Sequence, residues 1–193
     1  MKFLRKDDNS IIIKEDLDYK NQSQRKRIRI RELLLKEQYG FCAYSERFAQ
    51  NTDEVHVEHF DPRLKNSKSD NYNNWYAVKA WINEHKPKNI KPYLPILQPS
   101  TFDLWNRIKY ADGEYKIINK NDIEADNLIK FLGLNKFELY KDRAKHIARI
   151  RFIRESSEND NEFLKILSKD KFYLSFITAL EVELEISLSN LLN

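Results

Sequence analysis

Five side chains in this sequence are of the types that phosphodiester hydrolysis needs: Glu58, His59, Asn74, Asn83 and Lys86. Cutting such a bond takes a water nucleophile, a base for its proton, and positive charge on the phosphate and the leaving oxygen. A neutral imidazole serves as that base near neutral pH. One hard divalent ion supplies the charge when oxygen ligands hold it. Glu58 offers an anionic oxygen and Asn83 a carboxamide oxygen. Two protein oxygens leave coordination positions for water and phosphate, the arrangement that suits Mg²⁺, with Mn²⁺ as its substitute. Glu58 and His59 are adjacent in "VEHFDP", and neighbouring strand residues point to opposite faces. Alternation therefore sends the carboxylate toward an ion and the imidazole toward the water side of a phosphate. His56 shares the face of Glu58 and His85 neighbours Lys86; each is an additional site candidate against an ordinary surface or packing role. A Glu-His pair alone is equally explained by local hydrogen bonds. The ordered set is not.

The elements that must position these groups are legible in outline. "FCAYSERFAQNTDEVHVEHFDP" shows two alternating apolar pieces around a polar turn, the pattern of a hairpin ending at Glu58 and His59. "NWYAVKAWINEHK" has helical spacing and stops at Pro87. Upstream, residues 1–23 read as a poorly fixed arm or an edge strand. Ser23 is placed to cap a helix that Gly40 ends. Downstream, "IKYADGEYKII" predicts a second hairpin turning at Asp112-Gly113, and helices follow near 123–132, 136–155, 160–169 and 171–191. In the last of these, Leu180, Leu184, Leu188 and Leu191 form a stripe expected in this chain's own core, with docking on a partner or a second copy as the alternative.

The ordered set resembles the HNH, or ββα-metal, endonucleases. In that family an acidic residue or His precedes the catalytic His, an Asn follows in the loop, and an Asn or His lies on the helix, often with Lys three residues on. The resemblance implies an α+β fold with an HNH unit embedded in a mostly helical chain. It divides the chain into the arm, a nuclease core with its preceding helix over 24–100, and a hairpin and helical region over 101–193 packed on that core. It implies His59 as general base, Glu58 and Asn83 as metal ligands, Asn74 as the residue tying the loop, and Lys86 as a phosphate contact. Members often carry a structural zinc on two C-x-x-C pairs. Here those positions read Cys42, Ser45, Lys79 and Ile82, so no structural zinc is expected and Phe41, Tyr44, Trp75, Trp81 and Ile82 must pack in its place. "RELLLKEQYGFCAYSE", "LPILQPST" and "LIKFLGLNKFELYKDRAKHIARI" look like the HNH effectors that accompany SMC- or ABC-like ATPases in bacterial anti-phage systems of the Septu and retron-associated kinds. That implies a nucleic-acid substrate and an ATPase partner.

Composition permits this reading without requiring it. The chain has 193 residues, a formal charge of +4 and one cysteine, so no intrachain disulfide forms. No leader or membrane-length apolar run is seen, and the expected compartment is the cytoplasm. Arg25, Arg27 and Arg29 crowd the start of the first long helix, and Arg149 lies on a later basic helix that also carries Arg143. Each cluster is either a solvated face or a phosphate-facing surface. His146 reads as solvated. DNA is the expected substrate; an RNA-cleaving toxin and a non-catalytic scaffold binding DNA or an ATPase are the rivals.

Overall fold

The computed structural model describes residues 1–20 and 23–192. It is an α+β chain of eight helices and two small antiparallel hairpins. In chain order these are α1 (Ile11–Lys14), α2 (Gln24–Glu37), β1 (Val55–His59), β2 (Trp75–Lys79), α3 (Ala80–His85), α4 (Leu104–Arg107), β3 (Ile108–Ala111), β4 (Glu114–Ile117), α5 (Ile123–Leu132), α6 (Phe137–Glu155), α7 (Asp160–Leu167) and α8 (Ile177–Leu184). Among the described residues no helix is long and apolar enough to cross a membrane.

The partner of β1 is not the expected one. β1 pairs with β2, from Val55 opposite Lys79 to His59 opposite Trp75. Trp75 to Val78 are therefore strand where helical spacing predicted helix, and the helix begins only at Ala80. The reason is burial on both faces. Trp75, Tyr76, Ala77 and Val78 are all buried, which a one-sided helix cannot achieve. The segment 41–48 does not pair with β1. It closes on itself through a bridge between Phe41 and Phe48, turns at Glu46 with φ of 57°, and lies beside β2, where Ala43 N–H donates to the Ala77 carbonyl at 3.0 Å.

The β1–β2 hairpin is a wall between two apolar clusters. Trp75, Ala77 and Val55 face a smaller cluster with Ile12, Ile30 and Leu34. Tyr76 and Val78 face the main core, which runs through Phe41, Phe60, Leu128 and Phe131 into the C-terminal helices. The expected aromatic plug is divided by this wall: Phe41, Tyr44 and Ile82 lie in the main core, Trp75 on the other side. Cys42 is buried as a small apolar side chain.

The N-terminal arm is docked rather than loose. Phe3 stacks on Phe41 at 4.7 Å, and Leu4 and Ile12 are buried, one in each cluster. "IIIK" makes a helical turn, α1, with Ser10 as its cap, not an edge strand. The buried carboxylate of Glu46 ties the arm to the C-terminal region. It accepts from Lys2 N–H at 2.5 Å and from the Thr178 hydroxyl at 2.7 Å.

Residues 171–191 are not one helix. A 3₁₀ turn over Lys171–Leu174, α8 and a last turn over Ser189–Leu191 are separated by positive φ at Phe176 and Glu185. The apolar stripe is nonetheless internal, with Leu180, Leu184 and Leu188 all in the main core. α6 also differs from expectation. His146 is buried, and its Nε2–H donates to the Tyr173 carbonyl at 3.1 Å. Arg143 is buried between the rings of Tyr110 and Tyr115. Neither is available to a nucleic acid.

The second hairpin forms as its turn residues predict. Asp112 and Gly113 take φ of 53° and 82°, the two-residue turn that matches strand twist. A Cβ on Gly113 would sit 2.8 Å from the Tyr140 ring. Gly113→Ala should therefore cost about 1–2 kcal/mol, from the left-handed backbone and the contact together, as read by urea unfolding.

Candidate active site

β1 delivers Glu58 and His59 to the end of the hairpin, on opposite faces of the wall. The connection from Phe60 to Asn74 is clamped where it leaves and where it returns. Phe60 N–H donates to the Asn74 carbonyl at 2.8 Å. The Asn74 side chain spans the gap as well: its Oδ1 accepts from Asp61 N–H at 2.7 Å, and its Nδ2 donates to the Asp61 carbonyl at 3.2 Å. Both groups of a buried carboxamide are thus satisfied, and the strand end is fixed by a side chain rather than by ladder bonds alone.

His59 is 5% exposed. Its ring lies edge-on to Tyr19 at 5.1 Å and against Trp75 at 6.4 Å. Nε2 is 3.2 Å from Asp70 Oδ2 but off the direction of a ring N–H, so no directed hydrogen bond joins them. Burial holds the imidazole below its ordinary pKa against the opposing pull of Asp70, and the nearby Lys65 and Lys86 lower it further. Burial thus favours the neutral ring.

Asp70 escaped the sequence reading. Its Oδ1 accepts from Asn74 Nδ2 at 3.0 Å and from the Trp75 indole at 2.8 Å, and its Oδ2 accepts from Asn66 N–H at 3.2 Å. One buried carboxylate therefore gathers the loop, the start of β2 and the imidazole. The only advance signal was an Asp four residues before Asn74 in a polar loop.

On the other face, α3 crosses the hairpin. Lys86 Nζ is 2.7 Å from Glu58 Oε1, with both side chains nearly out of water, and lies 4.0 Å over the Phe131 ring. Burial lowers the ammonium's pKa while Glu58 pulls it back up. Asn83, one turn earlier, donates from Nδ2 to His56 Nδ1 at 3.0 Å, and His56 Nε2 meets Glu54 at 2.8 Å. His56 is therefore beside Asn83, while Glu58 and Asn83 have separate partners. His85 is spent on its own helix: it stacks on Trp81 at 4.2 Å and donates to the Trp81 carbonyl at 2.8 Å.

The chain matches no family model, no curated protein and no solved structure. What the site can do rests on its own chemistry.

Among the described residues no group of three or more His, Cys, Asp or Glu side chains is arranged to hold a metal ion. The side-chain oxygens of a type suited to a hard ion are the Glu58 carboxylate and the Asn83 carboxamide, and they have separate partners: Glu58 holds Lys86, and Asn83 Oδ1 lies 3.4 Å from Lys88 Nζ. Glu58 is a buried carboxylate that already holds a cation, the Lys86 ammonium, between hairpin and helix. An ion bound at Glu58 would have to displace that ammonium. A cavity of about 740 Å³ lies elsewhere, under the N-terminal arm between Lys6, Ser10 and Tyr72. It is bordered by none of the five candidate residues.

The basic residues divide by location. Arg25, Arg27 and Arg29 are exposed on the first turns of α2; Arg29 pairs with Glu15 at 2.6 Å, and the Arg27 guanidinium lies 5.2 Å over the Tyr19 ring. Arg149 lies apart from them on α6, sharing a cavity wall with Lys79, Asp53 and Asp142.

Proposed function

We propose that this chain is a metal-dependent HNH-type endonuclease that hydrolyses phosphodiester bonds of DNA. One observation carries the reading. A Glu-His pair ends the first strand of a hairpin, an Asn side chain clamps the connection, and the following helix lays Asn83 and Lys86 along the carboxylate face.

In this reading His59 takes the proton of a water as its oxygen attacks phosphorus, and the bond to the leaving oxygen breaks. Asp70 and Asn74 hold the imidazole and its strand in place. Glu58 and Asn83 would hold a Mg²⁺ or Mn²⁺ ion, whose chemistry is to polarise the phosphate and stabilise the leaving oxygen. Lys86, displaced from Glu58, is then within reach of a phosphate oxygen. The resemblance to effectors of anti-phage systems adds an SMC- or ABC-like ATPase as the partner that controls cutting, in the cytoplasm of a bacterium.

The test is cleavage of plasmid DNA, and of RNA, by the purified chain with Mg²⁺, Mn²⁺ or EDTA, with and without the ATPase. Expected is DNA cutting that EDTA abolishes. Because burial lowers the His59 pKa, activity should stay level through neutral pH and fall only below the ordinary histidine range, as the base becomes protonated. Cutting that persists in EDTA, or prefers RNA, overturns the assignment.

A further inference from the structure

The chain carries two clusters of basic residues, and the structure separates them. We propose that the first two turns of α2, with Lys65 of the loop, are the track that binds the phosphates of the nucleic-acid strand to be cut. This rests on the nuclease reading and names the surface by which that site receives its substrate.

Position is the first argument. The Arg27 guanidinium covers the Tyr19 ring, and the same ring lies edge-on to His59. One aromatic ring, Tyr19, therefore meets both the basic end of α2 and the candidate base. Lys65 is exposed on the loop that Asn74 and Asp70 clamp to the end of the strand carrying His59. The strand end is thus flanked by cations from two separate elements.

The second argument is the charge itself. Residues 23–29 are all exposed, and Arg25, Lys26, Arg27 and Arg29 fall within them. No acidic residue stands in the first turn of α2, and Ser23 makes no side-chain cap. Cations at a helix N-terminus oppose the helix dipole. Among the described residues Arg25, Lys26 and Arg27 have no carboxylate within ion-pair distance, whereas Arg29 has Glu15. A row of exposed cations that neither caps its helix nor pairs is matched by a polyanion, which releases counterions as it binds.

The other cluster is poorly placed for this. On α6, Arg143 is buried, Arg151 pairs with Glu183 at 2.5 Å and Arg154 with Asp160 at 3.0 Å. Lys145 and Arg149 share their cavity with Asp53 and Asp142, near Lys79. Lys79 marks the Val55 end of the hairpin, four residues from His59 and about 13 Å along the strand.

The experiment is fluorescence anisotropy of a labelled DNA duplex, and of a single-stranded RNA, with the full chain in EDTA at several salt concentrations. Three proteins are compared: wild type, Arg25→Glu/Arg27→Glu, and Lys145→Glu/Arg149→Glu. Acidic residues in the first turn favour the helix, so the α2 variant should fold, which circular dichroism checks. Expected is binding weakened at least about tenfold in the α2 variant, with the log–log salt slope smaller by about 2, and a change under about twofold in the α6 variant. Wild-type affinity in the α2 variant, a larger loss in the α6 variant, or no binding by wild type overturns the track. Because binding is read without cleavage, α2-dependent binding with no His59-dependent cutting would keep the track and remove the nuclease. Cutting that depends on His59, with binding indifferent to α2, would do the reverse.

Discussion

His59→Ala should reduce cleavage of plasmid DNA by about 10²–10⁴-fold, the range for loss of a general base. The geometry makes this a cleaner test than burial alone would suggest. The ring packs on Tyr19 and Trp75 and is 5% exposed, so truncation costs stability, about 1–3 kcal/mol. The clamps on its strand do not depend on it. Asn74 still bridges Asp61, and Asp70 keeps its bonds to Asn74, Trp75 and Asn66. The variant should remain folded well below its melting temperature, and the rate is compared there. A folded His59→Ala protein that cuts at the wild-type rate would sink the assignment and leave the scaffold reading, in which the hairpin binds and does not cut.

Lys86→Ala should destabilise the chain by about 3–5 kcal/mol, because it leaves the Glu58 carboxylate buried without a counter-charge. The pair is 2.7 Å apart, with side-chain exposures of 2% and 10%, so water does little to screen it. The contact with the Phe131 ring is lost as well. Two further measurements by urea unfolding separate this from simple loss of packing. Millimolar Mn²⁺ should restore part of the stability of Lys86→Ala by returning a cation to Glu58. It should not act on Lys86→Ala/Glu58→Gln, whose stability should lie closer to wild type. If Mn²⁺ stabilises neither protein, Glu58 is not an ion ligand.

How much of this was legible in the sequence depended on whether local pattern or tertiary burial decided each element. The helices α5, α6 and α7 lie within two residues of their predicted bounds, since their periodicity, the cap at Asp122 and the stop at Gly133 agree. The Asp112-Gly113 hairpin was equally local. β2 was misread because Trp75, Val78 and Ile82 fit a helical face. Only packing on both sides of the wall reveals Tyr76 and Ala77 as equally buried. The break at Glu185 had no signal, because a left-handed Glu carries no sequence mark. In the site, the residues were nameable but their partners were not. Lys86 was expected at a phosphate and lies on Glu58; Asp70 and Tyr19 were not singled out at all. Lys86 and Tyr19 reach the site by long-range contacts that no spacing rule encodes, and Asp70 reaches it from within the polar loop.

The hairpin wall bears on how such a protein can diversify. The His59 side is packed mostly by residues between 12 and 35 together with the hairpin's own strands, and the Glu58 side mostly by residues from 41 onward together with Met1, Phe3 and Leu4. Substitutions in α2 that recruit a different substrate leave the packing behind Glu58 and Lys86 untouched. Under the proposed function, exchange of the α2 face would alter the recognition surface while the core that backs Glu58 and Lys86 keeps its own residues. If the chain cuts as proposed, selection can then change what is cut without rebuilding how it is cut.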